Sequence, residues 1–138
     1  MGGRVIGGTM RMLPLFEEIE VSGQEGFPKV SLVERTNRLE QSLRDALAQY
    51  LRAGEPLMTT GNVTDPLDET KGQSVPFGFC TDGSWVWPTY WEYFVREYGV
   101  DVPEEFINHA QVNNFQPVEL SEEALDHAEE EFEREYFA

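Results

Sequence analysis

The chain predicts a single α+β domain, with a small antiparallel sheet built around one β-hairpin and packed against three to four helices. Three observations carry that expectation. Asp82-Gly83 lies between two aromatic or β-branched runs, which is the strongest short-range hairpin signal. Apolar residues recur at helical spacing from Leu39 to Leu51. Nine of the 17 aromatic residues, including all three tryptophans, fall between Phe77 and Tyr98. A chain of 138 residues has the size of one domain, and such a chain buries roughly 68% of its unfolded surface, enough for a core without disulfides or metal.

A two-residue turn at Asp82-Gly83 would set Thr81 opposite Ser84, Cys80 opposite Trp85, Phe79 opposite Val86 and Gly78 opposite Trp87. Alternation then gives Gly78, Cys80, Trp85 and Trp87 one face, and Phe77, Phe79 and Val86 the other. Both faces are apolar. The hairpin is therefore either sandwiched between two covering layers, or it presents its two-tryptophan face as a binding surface. Gly78 under Trp87 and Cys80 beside Trp85 would leave room for the indoles to lie across the sheet.

Around the hairpin, Thr36 reads as an N-cap, followed by Leu39, Leu43, Ala46, Leu47, Tyr50 and Leu51 on one stripe until Gly54 and Pro56 stop the helix. Arg35, Arg38, Arg44 and Arg52 fall largely off that stripe. Leu57–Thr60 and Asn62-Val63 read as a strand interrupted at Gly61. Pro88 suits the first position of a helix that Gly99 ends, with Tyr90 or Trp91, Phe94, Val95 and Tyr98 inward and Tyr93 on the outer shoulder. Pro103 opens a short helix to about 110, with His109 near its end. Ser121 caps the last helix, whose apolar stripe is Leu125, Ala128, Phe132 and Tyr136. Residues 1–12 have four glycines and no periodicity, so they read as a flexible leader, with Met10 or Met12 as an alternative start; residues 13–138 form the domain. Leu13 to Val33 reads as loop with one strand.

The net charge is −16, and it is unevenly placed. Residues 1–52 hold seven basic and seven acidic side chains, so the whole imbalance lies in residues 53–138. Half of it falls in the last twenty residues, where Glu119, Glu122, Glu123, Asp126, Glu129, Glu130, Glu131, Glu133 and Glu135 face only Arg134. Such a surface repels nucleic acid and anionic membrane and steers a basic partner toward itself, although a charge run also serves solubility. No apolar run approaches the ~18 residues that span a bilayer, no signal-peptide core stands at the start, and the lone Cys80 suits a reducing compartment; the expectation is a cytoplasmic protein.

Catalytic signatures are sparse. The two histidines, His109 and His127, lie eighteen residues apart. The chain contains no Gly-rich phosphate loop, CxxC pair, HExxH or G-x-S-x-G. Asp65, Asp68 and Glu69 crowd one polar loop, but their spacing does not match a twelve-residue calcium loop. No metal, cofactor or catalytic residue is expected. Asp82 or Glu92 beside the tryptophans would serve a carboxylate-based hydrolase only if two acids faced each other across a groove.

At Asp82-Gly83-Ser84-Trp85-Val86-Trp87-Pro88, then Tyr93–Val100 and Pro103–Ala110, the chain resembles small bacterial proteins of the immunity type found beside polymorphic toxins. These carry a similar D-G-x-W-x-W-P stretch, an aromatic helix and an L/V-P-x-x-F segment. The resemblance covers roughly residues 56–110. It implies a stoichiometric inhibitor that binds a cognate effector domain, and the acidic surface makes a basic nuclease or deaminase the expected effector. The partner-binding residues expected on this reading are Trp85, Trp87, Glu92, Tyr93, Glu129, Glu130, Glu131, Glu133 and Glu135. The alternatives are a small-molecule or peptide-binding module on the Trp85/Trp87 face, and a carboxylate-based hydrolase.

Overall fold

A computed structural model describes residues 10–20 and 27–136; residues 1–9, most of the predicted leader, lie outside the described residues, as do Val21, Ser22 and Gly23. In chain order the elements are β1 (Arg11–Met12), β2 (Leu15–Phe16), β3 (Lys29–Val30), α1 (Gln41–Arg52), β4 (Glu55–Val63), β5 (Val75–Thr81), β6 (Trp85–Pro88), α2 (Tyr90–Tyr98), α3 (Glu104–Val112) and α4 (Glu122–Tyr136). The fold is α+β, as predicted. Its main sheet has the order β1-β6-β5-β4, with β1 parallel to β6 and the other pairs antiparallel, while β2 and β3 form a small parallel pair.

The central hairpin is present, with a different register. Phe79 pairs with Pro88, Cys80 with Trp87 and Thr81 with Val86, and three residues, Asp82, Gly83 and Ser84, separate the strands instead of two. Side chains explain the longer turn. Ser84 and Trp85 donate their backbone N–H groups to Asp82 Oδ1, both at 2.9 Å, and Gly83 N–H donates to Thr81 Oγ1 at 2.9 Å. Aspartate and threonine thereby build a turn that competes with the two-residue one, and Gly83 alone takes the positive φ, at 97°. Because the slip is even, the predicted faces survive: Cys80 still shares a side with Trp85 and Trp87.

Of the two hairpin arrangements, the structure has the sandwiched one. On one side Trp87 stands 6.2 Å from Tyr50 of α1 and 5.5 Å from Phe106 of α3, ring centre to ring centre, and its Nε1–H donates to Leu51 O at 3.3 Å. A Cβ on Gly54 would come within 2.4 Å of the Trp87 ring, so it is Gly54, not Gly78, that makes room for the indole. Gly78 answers to another constraint: a Cβ there would lie 2.2 Å from Met58 O on β4, where the strand bulges between Pro56 and Met58. On the other side Phe79 meets Phe77, Phe27 and, at 5.0 Å, Phe132 of α4. Phe16, Tyr90 and Phe94 continue that layer.

Several predicted boundaries move, and each for a long-range reason. Helix α1 begins at Gln41, not after Thr36, because Asn37 (φ 58°), Arg38 and Leu39 donate their N–H groups to Tyr98 and Gly99 carbonyls and so dock onto the end of α2. Pro88 is the last residue of β6 instead of the first of α2, since Thr89 N–H still bonds Gly78 O at 2.9 Å. Gly99 closes α2 in the left-handed conformation, as expected. Residues 10–12 of the predicted leader belong to the fold: Met10 is buried, and β1 pairs with Trp85 and Val86. Ser121 caps α4 through a 3.0 Å bond from Ala124 N–H. Ala128 and Phe132 of its stripe are buried and Leu125 is half-buried; the Tyr136 side chain lies outside the described residues.

Candidate functional site

The tryptophans expected to contact a partner are core residues. Trp85 is 5% exposed and Trp87 1%, and the guanidinium of Arg11 lies 4.5 Å over the Trp85 ring. The two-tryptophan face is therefore closed by α1, α3 and β1, which corrects the expectation of an exposed recognition face.

The polar cluster beside it is a structural hub. Asp82, 6% exposed, accepts at Oδ2 from the Tyr50 hydroxyl and from His109 Nε2, the latter at 2.7 Å. A carboxylate only accepts, so His109 carries its proton on Nε2. Asn113 Nδ2 donates to the Tyr50 oxygen at 3.1 Å. Burial and the adjacent Asp82 carboxylate push the Tyr50 hydroxyl well above the ordinary phenol range. The hairpin turn, α1 and α3 meet at this one carboxylate, with all of its lone-pair directions in use.

Tyr93 and Glu92 are also committed to the fold. Tyr93 is 8% exposed, not on an outer shoulder, because the loop after β4 folds over it and brings Asp65 to its hydroxyl at 2.7 Å. Asp65 is fully buried and accepts from Tyr98 as well, also at 2.7 Å, and from Leu67 N–H. Burial, followed by the hydrogen bond and charge of Asp65, pushes both tyrosine hydroxyls up to about 12. Glu92 pairs with Arg52 at 2.9 Å and Arg96 at 2.8 Å. Its partial burial would raise its pKa, but the two guanidiniums outweigh that and hold the carboxyl below its ordinary value. Asp82 and Glu92 are thus each locked into separate networks, and no groove with the two acids facing each other is assembled from them.

What remains at the surface is the acidic helix. Glu129, Glu130, Glu133 and Glu135 are exposed, whereas Glu131 is 3% exposed and turned inward. Glu131 Oε1 accepts from Arg134 Nη1 at 2.8 Å, and its Oε2 has no hydrogen-bond partner among the described residues. Glu122, Asp126, Glu129, Glu130 and Glu133 recur at three- and four-residue spacing and share one exposed face. Among the described residues no cation stands within ion-pair distance of Glu129, Glu130 or Glu133, since Arg134 is taken by Glu131.

This face borders an open cleft of about 1050 Å³ between α4 and β4. Leu57, Met58 and Thr59 form one wall, and Glu129, Glu130, Glu133 and Arg134 rise on the other. Met58 pairs with Phe79 and so lies on the same side of the sheet as Phe132; at 37% exposure it is one of the few large apolar side chains open to solvent. β4 is the terminal strand of the sheet among the described residues, and Thr59 to Asn62 are exposed along it. The charge pattern alone identifies the glutamates, but the cleft depends on the placement of β4 against α4, for which the sequence carries no local signal.

No family model matches the chain, and no curated protein or solved structure matches it significantly. Among the described residues no helix is long and apolar enough to cross a membrane, and no group of three or more His, Cys, Asp or Glu residues is arranged to hold a metal ion.

Proposed function

We propose that the protein is an acidic protein-binding inhibitor of the immunity type, which neutralises a basic, nucleic-acid-acting toxin domain in the cytoplasm by stoichiometric binding. The observation that carries this reading is the carboxylate face of α4, where Glu129, Glu130 and Glu133 stand exposed with no cationic partner among the described residues. A free surface of one sign focuses its field outward and raises the encounter rate with an oppositely charged protein. It also competes for the same cationic groups that a nuclease or deaminase uses to hold phosphate. The resemblance around Asp82–Pro88 points in the same direction.

The two other readings lose support from burial. A ligand-binding module on the Trp85/Trp87 face has no accessible indole to offer. A carboxylate-based hydrolase using Asp82 or Glu92 needs that acid free to meet substrate, and both are engaged by neighbouring side chains. Titrating the protein into an assay of a basic nuclease or deaminase toxin domain tests the proposal. Loss of toxin activity complete at equimolar inhibitor is expected; undiminished activity across a panel of such domains would contradict it.

A further inference from the structure

The cleft between α4 and β4 combines two recognition chemistries that the acidic helix alone does not. Its sheet wall carries Leu57 and the exposed Met58, and its helix wall carries Glu129, Glu130 and Glu133 beside Arg134, whose guanidinium is paired with Glu131, with Phe132 packed on Phe79 at the back. Glu129 and Glu133 lie one helical turn apart, about 6 Å along the axis. We infer that this cleft is the docking groove for one segment of the partner: an extended stretch in which an apolar side chain enters against Leu57 and Met58 while neighbouring lysines or arginines pair with Glu129, Glu130 and Glu133. The inference rests on the protein-binding reading above and narrows it to a surface and a partner chemistry.

Charge complementarity selects this occupant. A nucleic acid would meet three carboxylates, and a second copy of this chain would set the same acidic rim against itself, because a two-fold interface brings identical surfaces together. A basic segment removes the helix's like-charge repulsion as it binds. Strand addition along β4 is not the mode, because β4 bulges between Pro56 and Met58 and between Thr59 and Gly61, and bulges interrupt the ladder that an added strand needs. The segment therefore engages by side chains into the groove.

The test uses two synthetic pentapeptides of equal charge, Lys-Leu-Lys-Leu-Lys and Lys-Ser-Lys-Ser-Lys, titrated into the full protein with methyl and backbone NMR shifts as readout. The leucine peptide should bind about tenfold or more tighter than the serine peptide, because burying a leucine side chain adds that much affinity. It should also shift the Met58 methyl. Met58→Glu should abolish the preference while leaving the rest of the spectrum folded. Equal affinity for both peptides, or shifts centred away from Leu57, Met58 and α4, would overturn the inference. With a toxin domain in hand, a Met58→Glu variant that still binds it normally sinks the groove and leaves the immunity reading standing. Peptide capture in the groove with no toxin bound sinks that reading instead.

Discussion

Asp82 Oδ2 lies 2.7 Å from His109 Nε2, so the turn of the central hairpin is tied directly to the last turn of α3. The same oxygen accepts from Tyr50 of α1, and the other carboxylate oxygen accepts the Ser84 and Trp85 amides. One side chain thus specifies both the turn and the docking of two helices.

Asp82→Ala should therefore cost far more than a lost turn residue. It strands the buried Trp85 amide and takes the acceptor from the Ser84 amide and the Tyr50 hydroxyl, and removing one partner of such a network costs about 3–5 kcal/mol. Denaturant unfolding measures it. A loss of about 0.5 kcal/mol, the size of an ordinary surface change, would contradict the hub role.

Trp87→Ala should destabilise the fold by about 3–5 kcal/mol, the usual range for emptying a buried aromatic site. A variant that melts with the parent but fails to bind a partner would restore the tryptophan face as a recognition surface.

Glu92 offers a pH test. Its folded pKa lies below the ordinary 4.5, so its ion pairs contribute stability that is fully present above that value and is lost as pH falls through the lower folded one. Glu92→Gln should cost about 1 kcal/mol at pH 7 and progressively less below the glutamate range, as expected for a pair shared by two arginines. Unfolding free energies of variant and parent that stay parallel from neutral pH to about pH 3 would refute the pairing.

Among the described residues, Glu131 buries a carboxylate with one oxygen unpartnered. Replacing it with the apolar Met, of similar length, should leave stability unchanged or raise it by about 1–2 kcal/mol, because the desolvation penalty of the charge disappears. A clear loss of stability would mean that the carboxylate has a structural partner.

The hairpin and the helix ends at Ser121 and Gly99 were legible in the sequence because their signals are local: Asp-Gly between aromatic runs, a serine before a carboxylate-rich stripe, a glycine after an aromatic one. The faces of the hairpin were legible too, since an even slip preserves alternation, although the longer turn built by Thr81 and Asp82 was not. What escaped depends on distant partners. Helical periodicity puts Tyr93 outside, yet a loop some twenty-eight residues earlier delivers Asp65 to its hydroxyl. Asn37 to Leu39 fit a helix but are held by Tyr98 and Gly99. β1 has too little length to announce a strand and exists only by pairing with β6. In the candidate site, the acidic residues were evident from composition; that Glu131 turns inward while Glu129, Glu130 and Glu133 line a cleft required the position of β4.

The central claim, capture of a basic partner by the α4 face, is tested most directly by association kinetics of the triple variant Glu129→Gln, Glu130→Gln, Glu133→Gln against a toxin domain. A control with Glu34, Glu69 and Glu104 changed to Gln removes the same charge elsewhere on the exposed surface. The account predicts that the α4 variant folds as the parent does and associates about tenfold more slowly at low salt, with the deficit shrinking as salt approaches about 0.5 M and the Debye length falls to a few ångströms. The control should associate nearly as fast as the parent. An on-rate for the α4 variant that matches the parent at every salt concentration would contradict the claim and leave these glutamates the role of keeping the protein in solution.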